Sequence, residues 1–196
     1  MENSFDDQAL SLGIDEIWRG YQPATAGHPL LNGKPPYRAR ISKDGRKAYA
    51  MHDTSGNLRC IALVDDDGEV TFLPDDAKSC GAYLALGKPC GFIGVSASIV
   101  DGLLLREIGM KKVDDWPTAI TFNRDNLEHV AMAVHKKFPA KKIVVFGSHP
   151  DDFDYVLQAA RAVGGLMVAI SSTLGGLVFG DFADFRGIAG GDHEKE

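Results

Sequence analysis

The chain has 196 residues, of which 44% are hydrophobic and 24% charged, a composition typical of a globular protein rather than a disordered one. Its net charge of -6 argues against a protein that mainly neutralises a long stretch of nucleic-acid backbone, since that task needs clustered lysines and arginines. Three cysteines (Cys60, Cys80 and Cys90) form no CxxC pair, which favours free thiols. The acidic N-terminus lacks a signal-peptide pattern, so we expect a cytoplasmic protein.

The first 37 residues contain a helical pattern followed by an irregular connection. Apolar residues in the segment 6–19 recur at a loose helical spacing, which predicts a short helix that packs on the next domain. Residues 20–37 are rich in glycine and proline, which disfavours a regular helix or strand there.

Residues 38–90 show the alternating pattern of a small antiparallel sheet. Four short runs (RARIS, KAYAMHD, LRCIALV and EVTFLP) alternate apolar and polar positions, and Asp/Gly or Asn/Gly turn signals separate them. This segment is therefore predicted to be an antiparallel β-meander with one face against a core.

Residues 91–188 alternate between predicted strands and helices. The strands are predicted over residues 91–95, 117–122, 142–148 and 166–171. The helices are predicted over residues 99–109, 125–138 and 154–163, with Gly109 as a C-cap, Asp125 as an N-cap, and Gly164 and Gly165 closing the last helix. Such alternation predicts an α/β domain whose parallel sheet carries helices on both faces, followed by a flexible acidic tail at 189–196.

Several segments near the carboxyl ends of these strands resemble the Toprim domain of plasmid and phage DNA primases. They are SASIVDGLLLREIG after the first strand, FNRDNLEHVAMAVHKKFPAKKIVVFGSHPDD through the third, and GDFADF in the final loop. Upstream, GHPLL and the predicted meander resemble the leader region of conjugative-plasmid primases. The resemblance implies a Toprim-like (Rossmann-like) α/β fold that follows a β leader subdomain.

The resemblance breaks at the family's catalytic carboxylates. In that family the first strand ends in a catalytic Glu-Gly and the third ends in Asp-x-Asp. Here Ser96, Ser148 and Pro150 occupy the three carboxylate positions. A serine hydroxyl has no accessible pKa for general acid/base work, and proline offers no metal ligand. The resemblance therefore implies a degenerate site with no confidently assigned catalytic residue.

The remaining acids nearby are candidate metal ligands. Asp151 and Asp152 follow the lost position directly, and Asp181 and Asp184 keep the family's final acidic pair. Mg²⁺ prefers carboxylate oxygens, so these four residues could hold a weakened Mg²⁺ site, and we expect no other cofactor. A structural role is the alternative, because acids are favoured at a helix N-terminus and in turns.

Two further polar residues are candidates for binding, and two acids nearby are not. Lys78 matches a Lys-Ser-Gly-like element of the leader and could contact phosphate, although a solvated turn lysine fits the pattern too. His149, at a predicted strand end, could ligate a metal or contact nucleic acid, but no second His or Cys follows at ligand spacing. Asp101 and Glu107 are expected to be surface charges.

Three functions follow as hypotheses. The first is a catalytically inactive primase-related protein of a plasmid or phage that binds a protein partner, as in inhibition of conjugative transfer (fertility inhibition) or counter-defence. The second is an enzyme that uses a rearranged acidic site for Mg²⁺-dependent nucleotidyl transfer or phosphodiester hydrolysis. The third is a DNA-binding primase accessory module, which the acidic composition disfavours. None of the three requires membrane insertion.

Overall fold

The computed structural model describes residues 13–25, 37–74, 81–88, 91–110, 117–171 and 176–181. The chain divides into two compact units, Met1–Leu86 and Gly87–Glu196. The domain bounds inferred from the sequence remain predictions. Within the described ranges, every helix is too short or too polar to cross a membrane.

The first unit consists of a helix and an antiparallel sheet. The alternating pattern predicted the sheet, but its first strand, Gln22–Pro23, lies in the segment where no strand was expected. Helix α1 covers residues 13–20. The strands are β1 (Gln22–Pro23), β2 (Arg40–Ile41), β3 (Lys47–His52), β4 (Leu58–Val64) and β5 (Val70–Leu73), which pair in that order. All four pairings are antiparallel, and a short strand β6 (Leu84–Leu86) ends the unit.

Turn chemistry and an apolar cluster explain this sheet. The turn between β3 and β4 begins at Asp53, whose carboxylate accepts the backbone N–H groups of Ser55 (2.8 Å) and Asn57 (3.0 Å). Gly56 in that turn has a φ of 91°, which favours glycine. The core under the sheet joins α1 to β3 and β4 through Ile14, Tyr21, Ala48, Ala50, Leu58, Ile61 and Leu63.

Cys60 lies on β4 and is a buried free thiol, which confirms the prediction for this cysteine. Burial raises the pKa of the Cys60 thiol to about 12, so it stays protonated and unreactive at neutral pH. Cys80 and Cys90 lie outside the described residues.

The second unit is an α/β domain. Its strands are β7 (Phe92–Ser96), β8 (Thr118–Ile120), β9 (Lys142–Gly147), β10 (Leu166–Ser171) and β11 (Gly176–Asp181), and they lie in the order β11-β10-β9-β7-β8. The helices are α2 (Ile99–Met110), α3 (Leu127–Lys137) and α4 (Phe153–Val163). Strands β7 to β10 are parallel as predicted, whereas β11 pairs antiparallel with β10 and was not predicted.

Helices cover both faces of this sheet, as predicted. A Cβ atom added at Gly94 on β7 would lie 2.4 Å from the side chain of Leu105, so this face of the sheet meets α2. A Cβ atom added at Gly147 on β9 would lie 2.8 Å from Val156 of α4, on the opposite face. Even-numbered residues of β7 and β9 therefore face α2, and odd-numbered residues face the layer formed by α3 and α4.

Two of the predicted helix caps are wrong. Helix α2 continues through Gly109 to Met110, so Gly109 is not its C-cap. Asp125 lies inside a 3₁₀ turn, Arg124–Asn126, that precedes α3, and the side chain of Asn123 caps this turn by accepting the Asp125 backbone N–H at 3.0 Å. The extended backbone of Asn123 presents its amide oxygen to that N–H, a position that Asp125 does not occupy.

The predicted closure of α4 by two glycines is confirmed. Gly164 adopts the left-handed conformation with a φ of 57°, and the backbone N–H of Gly165 donates to the carbonyl of Ala160 at 2.9 Å. Both features are typical of a glycine-terminated helix.

Candidate functional site

The carboxyl ends of three parallel strands lie side by side in the second unit. Strand β7 is flanked by β8 and β9, and Ser96 at its end pairs with Ile120 on β8 and Phe146 on β9. Ser148 lies two residues beyond Phe146, and Pro150 follows. The fold thus brings the predicted positions Ser96, Ser148 and Pro150 to the edge of an α/β sheet at which ligands usually bind.

The hydroxyl of Ser96 is used within its own turn. Its side chain is fully buried, and its Oγ atom donates to the Ser98 carbonyl (3.2 Å) and accepts the Ser98 backbone N–H (3.4 Å). Ser98 then caps α2, because its Oγ accepts the N–H groups of Val100 (3.1 Å) and Asp101 (3.4 Å). The Ser96 hydroxyl therefore stabilises the strand-to-helix turn.

Ser148 binds Asp101, which comes from the first turn of α2. Its backbone N–H donates to Asp101 Oδ2 at 3.2 Å, and its hydroxyl donates to Asp101 Oδ1. Asp101 is only 4% exposed, so its expected role as a surface charge is wrong. The neighbouring Gly102 explains the burial, because a Cβ atom there would lie 2.9 Å from Ile120 and only glycine lets α2 approach the sheet so closely.

Asp152 is a second largely buried acid at this edge. Its side chain is 15% exposed, and burial raises its pKa, followed by the charge of Asp101. Arg124 lowers this pKa, because its Nη1 atom lies 3.8 Å from Asp152 Oδ1. The Arg124 guanidinium also lies 5.0 Å from the centre of the Tyr155 ring. The carboxylates of α2 and of the turn before α4 therefore influence each other electrostatically.

His149 and Asp151 lie on the exposed side of the same turn. The Nδ1 atom of His149 accepts the Asp151 N–H at 3.3 Å and lies 3.6 Å from its carboxylate. The two side chains are 67% and 74% exposed. Pro150 begins the 3₁₀ turn Pro150–Asp152, and Asp152 occupies the N-cap position of α4 without a capping hydrogen bond.

Comparisons with known proteins point to primases. No family model matches the chain. Two proteins of Escherichia coli, each described as DNA primase TraC, are 26% identical over 136 residues and 25% identical over 180 residues. These matches cover 63% and 84% of this chain but only 9% and 17% of the relatives, so the chain spans less than a fifth of their length.

The fold agrees with a phage primase. The crystal structure of the primase fragment of the bacteriophage T7 primase-helicase protein superposes with a TM-score of 0.51 at 15% identity, covering 77% of this chain and 69% of that one. The sequence matches and the shared fold support a primase-like Toprim domain, as the sequence resemblance implied.

Asp181, another predicted metal ligand, does not lie at this edge. Asp181 pairs with Leu166 at the start of β10, because β11 runs antiparallel. Leu166 is level with Val144, four residues before Ser148, which places the Asp181 backbone roughly 13 Å further down the sheet. Asp184 and Lys78 lie outside the described residues, within which no group of three or more His, Cys, Asp or Glu side chains could hold a metal.

The polar side chains at the carboxyl ends of these strands bind one another. Both oxygens of Asp101 accept donors from Ser148, and Asp152 faces Arg124. The sequence pattern assigned Asp101 to the surface and gave no role to Arg124. One signal for the burial of Asp101 was available in the sequence. This residue precedes a glycine in a helix that is apolar on most sides, and such a helix packs closely on its neighbours.

Proposed function

We propose that this chain is a catalytically inactive, primase-related Toprim-like protein that acts by binding a protein partner. The observation that carries the proposal is the identity and the hydrogen bonding of the two serines at the strand ends. Ser96 and Ser148 stand where the resembled family has carboxylates, and their hydroxyls are hydrogen-bonded to the protein itself. Neither side chain supplies a negative charge for a metal or a proton acceptor near neutral pH.

A metal-dependent reaction needs carboxylates that converge on one point with free lone pairs. The acids near this edge are instead a buried Asp101 bound by Ser148 and a largely buried Asp152 beside Arg124. The arrangement favours a retained scaffold over a working centre.

The partner is proposed from the relatives. The matched relatives are named DNA primase TraC. Since the sequence also resembles conjugative-plasmid primases, transfer machinery is the first candidate partner. A chain that keeps the scaffold without the chemistry could inhibit transfer of a rival plasmid, or oppose a host defence system.

Calorimetric titration with Mg²⁺ and Mn²⁺ tests the inactivity, together with an assay for primer synthesis on single-stranded DNA. We expect no saturable metal binding and no primer, and Ser148→Asp serves as a comparison that restores one carboxylate. Metal-dependent primer synthesis by the unaltered chain would refute the proposal. Partner binding is tested by the transfer frequency of a conjugative plasmid from cells expressing the chain, with co-purification of the transfer proteins. An unchanged frequency would contradict the transfer-inhibition role.

One observation favours a second function: the charge of Asp101 raises the pKa of Asp152, so the two carboxylates interact. These acids could hold Mg²⁺ in a rearranged site for nucleotidyl transfer or phosphodiester hydrolysis. That hypothesis expects tight Mn²⁺ binding that Asp152→Ala abolishes and that Asp151→Ala, at an exposed acid, leaves nearly unchanged.

A further inference from the structure

Lysines are concentrated at the end of the second unit opposite the candidate site. The chain has a net charge of -6, yet four of its lysines lie close together in sequence: Lys136, Lys137, Lys141 and Lys142. The first two end α3, the third lies in the turn after that helix, and the fourth begins β9. We call these four residues the lysine corner. Since β9 runs from the corner toward Ser148, the two ends of this strand are roughly 20 Å apart.

Backbone hydrogen bonds fix the path of the chain through the lysine corner. The Phe138 N–H donates to the Val134 carbonyl at 2.9 Å, and the Lys141 N–H donates to the Phe138 carbonyl at 2.9 Å. The Lys142 N–H donates to the Gly91 carbonyl at 3.2 Å, which ties the corner to the segment before β7. Four positive charges are thus held close together, and their fields add in a way that those of scattered lysines do not.

The charges of the lysine corner are not neutralised within the described part of the chain. Lys136, Lys141 and Lys142 form no ion pair among the described residues. The residues three and four positions before the two α3 lysines are uncharged, so helical ion pairs cannot form there. Glu128, the one acid of α3, lies about two turns away and accepts a hydrogen bond from Gln158 at 2.6 Å.

The dipole of α3 accounts for only part of this pattern. Lysines at a helix C-terminus interact favourably with the helix dipole, which explains the two that end α3. Lys141 and Lys142 lie beyond the helix, and the effect of the dipole falls off within one turn. Further like charges at this corner repel one another in the isolated domain, and a negatively charged partner removes that repulsion.

An exposed aromatic residue lies beside the lysine corner. Phe92 on β7 is level with Lys142 on β9, so the two side chains lie on the same face of the sheet. Phe92 is 40% exposed, which is high for a large apolar residue. A molecule bound here therefore meets positive charge and apolar surface together.

We propose that the lysine corner and Phe92 bind an acidic segment of a partner protein that carries an apolar side chain among its carboxylates. The carboxylates pair with the lysines, and the apolar side chain packs on Phe92. This inference rests on the proposed function, because it specifies the kind of protein partner.

Two observations favour a protein segment over a nucleic acid. The corner contains no arginine, the residue whose planar group binds phosphate at two points. A nucleic acid also continues beyond the corner as a chain of negative charges, where it meets a molecule with a net charge of -6. A short acidic segment contacts only the corner.

Fluorescence anisotropy of a labelled oligoglutamate peptide with one central phenylalanine, titrated with the full chain, tests the proposal. We expect saturable binding that weakens about ten-fold as salt rises from about 50 mM to about 300 mM, because salt screens exposed charges. Replacing the phenylalanine of the peptide by serine should weaken binding about five-fold. An oligothymidylate with the same number of charges, and vesicles of phosphatidylserine, should each bind more weakly than the peptide.

Two double variants with the same loss of charge locate the binding surface. Lys136→Gln combined with Lys142→Gln should weaken peptide binding about ten-fold, at about three-fold for each lost ion pair. Its urea midpoint should match that of the unaltered chain, because both lysines are exposed. Lys43→Gln combined with Lys47→Gln, in the first unit, is the matched control and should change peptide binding by less than about two-fold.

Three results would overturn the proposal: no saturable binding of the peptide, equal weakening in the two double variants, or tighter binding of the oligothymidylate or the vesicles. The plasmid-transfer assay separates this inference from the proposed function. If the unaltered chain and the lysine-corner variant lower transfer equally, the proposed function stands and the corner is not the partner's binding surface. If the unaltered chain leaves transfer unchanged but binds the peptide as described, the transfer role fails and the acidic-segment site stands.

Discussion

Replacing Asp101 by alanine should destabilise the second unit. Asp101 is 4% exposed and accepts both donors of Ser148, so Asp101→Ala leaves the Ser148 N–H and hydroxyl without their protein partner. A hydrogen bond to a charged acceptor contributes about 1.5–3 kcal/mol, which gives roughly 3–6 kcal/mol for the pair. Water can reach the partly exposed Ser148, and the cost of burying a carboxylate disappears, so we expect a net loss of about 2 kcal/mol.

Urea denaturation followed by circular dichroism measures this loss. With an m-value of about 2 kcal/mol per molar, a loss of that size lowers the midpoint by about 1 M at unchanged slope. Ser148→Ala and the double variant complete a double-mutant cycle, in which the double variant should lose less than the sum of the single variants. Asp66→Ala, at an exposed turn position, is the matched control and should change stability by less than about 0.5 kcal/mol.

The reasoning about this pair fails if Asp101→Ala is as stable as the unaltered chain or more stable. It also fails if the two single losses simply add in the double variant, because independent side chains would then explain both.

Three further predictions concern the same unit. Asp152→Asn should stabilise the chain at pH 7, because burial raises the pKa of this carboxyl and its charged form is costly in the fold. As pH falls through the raised pKa of Asp152 toward about 4, where this carboxyl titrates in the unfolded chain, the unaltered chain should gain stability relative to the variant. Urea midpoints at several pH values measure this gain. Gly102→Ala should lower stability by about 1 kcal/mol in the same assay, since crowding by Ile120 exceeds the gain in helix propensity. Gly165→Ala should cost about 1–3 kcal/mol, because the new Cβ atom would lie 2.7 Å from the carbonyl oxygen of Ile143, measured as a fall in thermal midpoint.

Each of these three predictions has a result that would contradict it. An Asp152→Asn variant less stable than the parent at pH 7 would mean that the interaction with Arg124 outweighs burial. For the glycines, Gly20→Ala is a control, because nothing lies within 4 Å of a Cβ atom there. If Gly102→Ala and Gly165→Ala behave like Gly20→Ala, the close approach of these elements does not limit stability.

Much of the fold could be predicted from local sequence patterns. The Asp/Gly turns between β3 and β5 act over four or five residues, and the glycines after α4 end that helix through contacts within one turn. The alternation of apolar runs required parallel strands, because consecutive strands joined by helices have few other solutions. The antiparallel strand β11 was missed, since Gly176–Asp181 has no pattern that distinguishes an edge strand from a loop.

The candidate site was predicted only in part. Its strand-end positions followed from the family resemblance, and Ser96 and Ser148 do lie at one edge of the sheet. The partner of Ser148 was not predicted, because Asp101 is 47 residues away along the chain and meets it only when α2 packs on the sheet.

The sequence by itself determined the order of elements, the Toprim-like resemblance and the residues at the strand ends, because each depends on neighbours along the chain. Only the tertiary structure decided that Asp101 is buried against Ser148, that burial and the charge of Asp101 raise the pKa of Asp152, and that Asp181 ends β11 beside the start of β10. Those features depend on how closely α2 approaches the sheet at Gly102 and on the direction of β11. Both are set by packing between segments far apart in sequence, which no local pattern records.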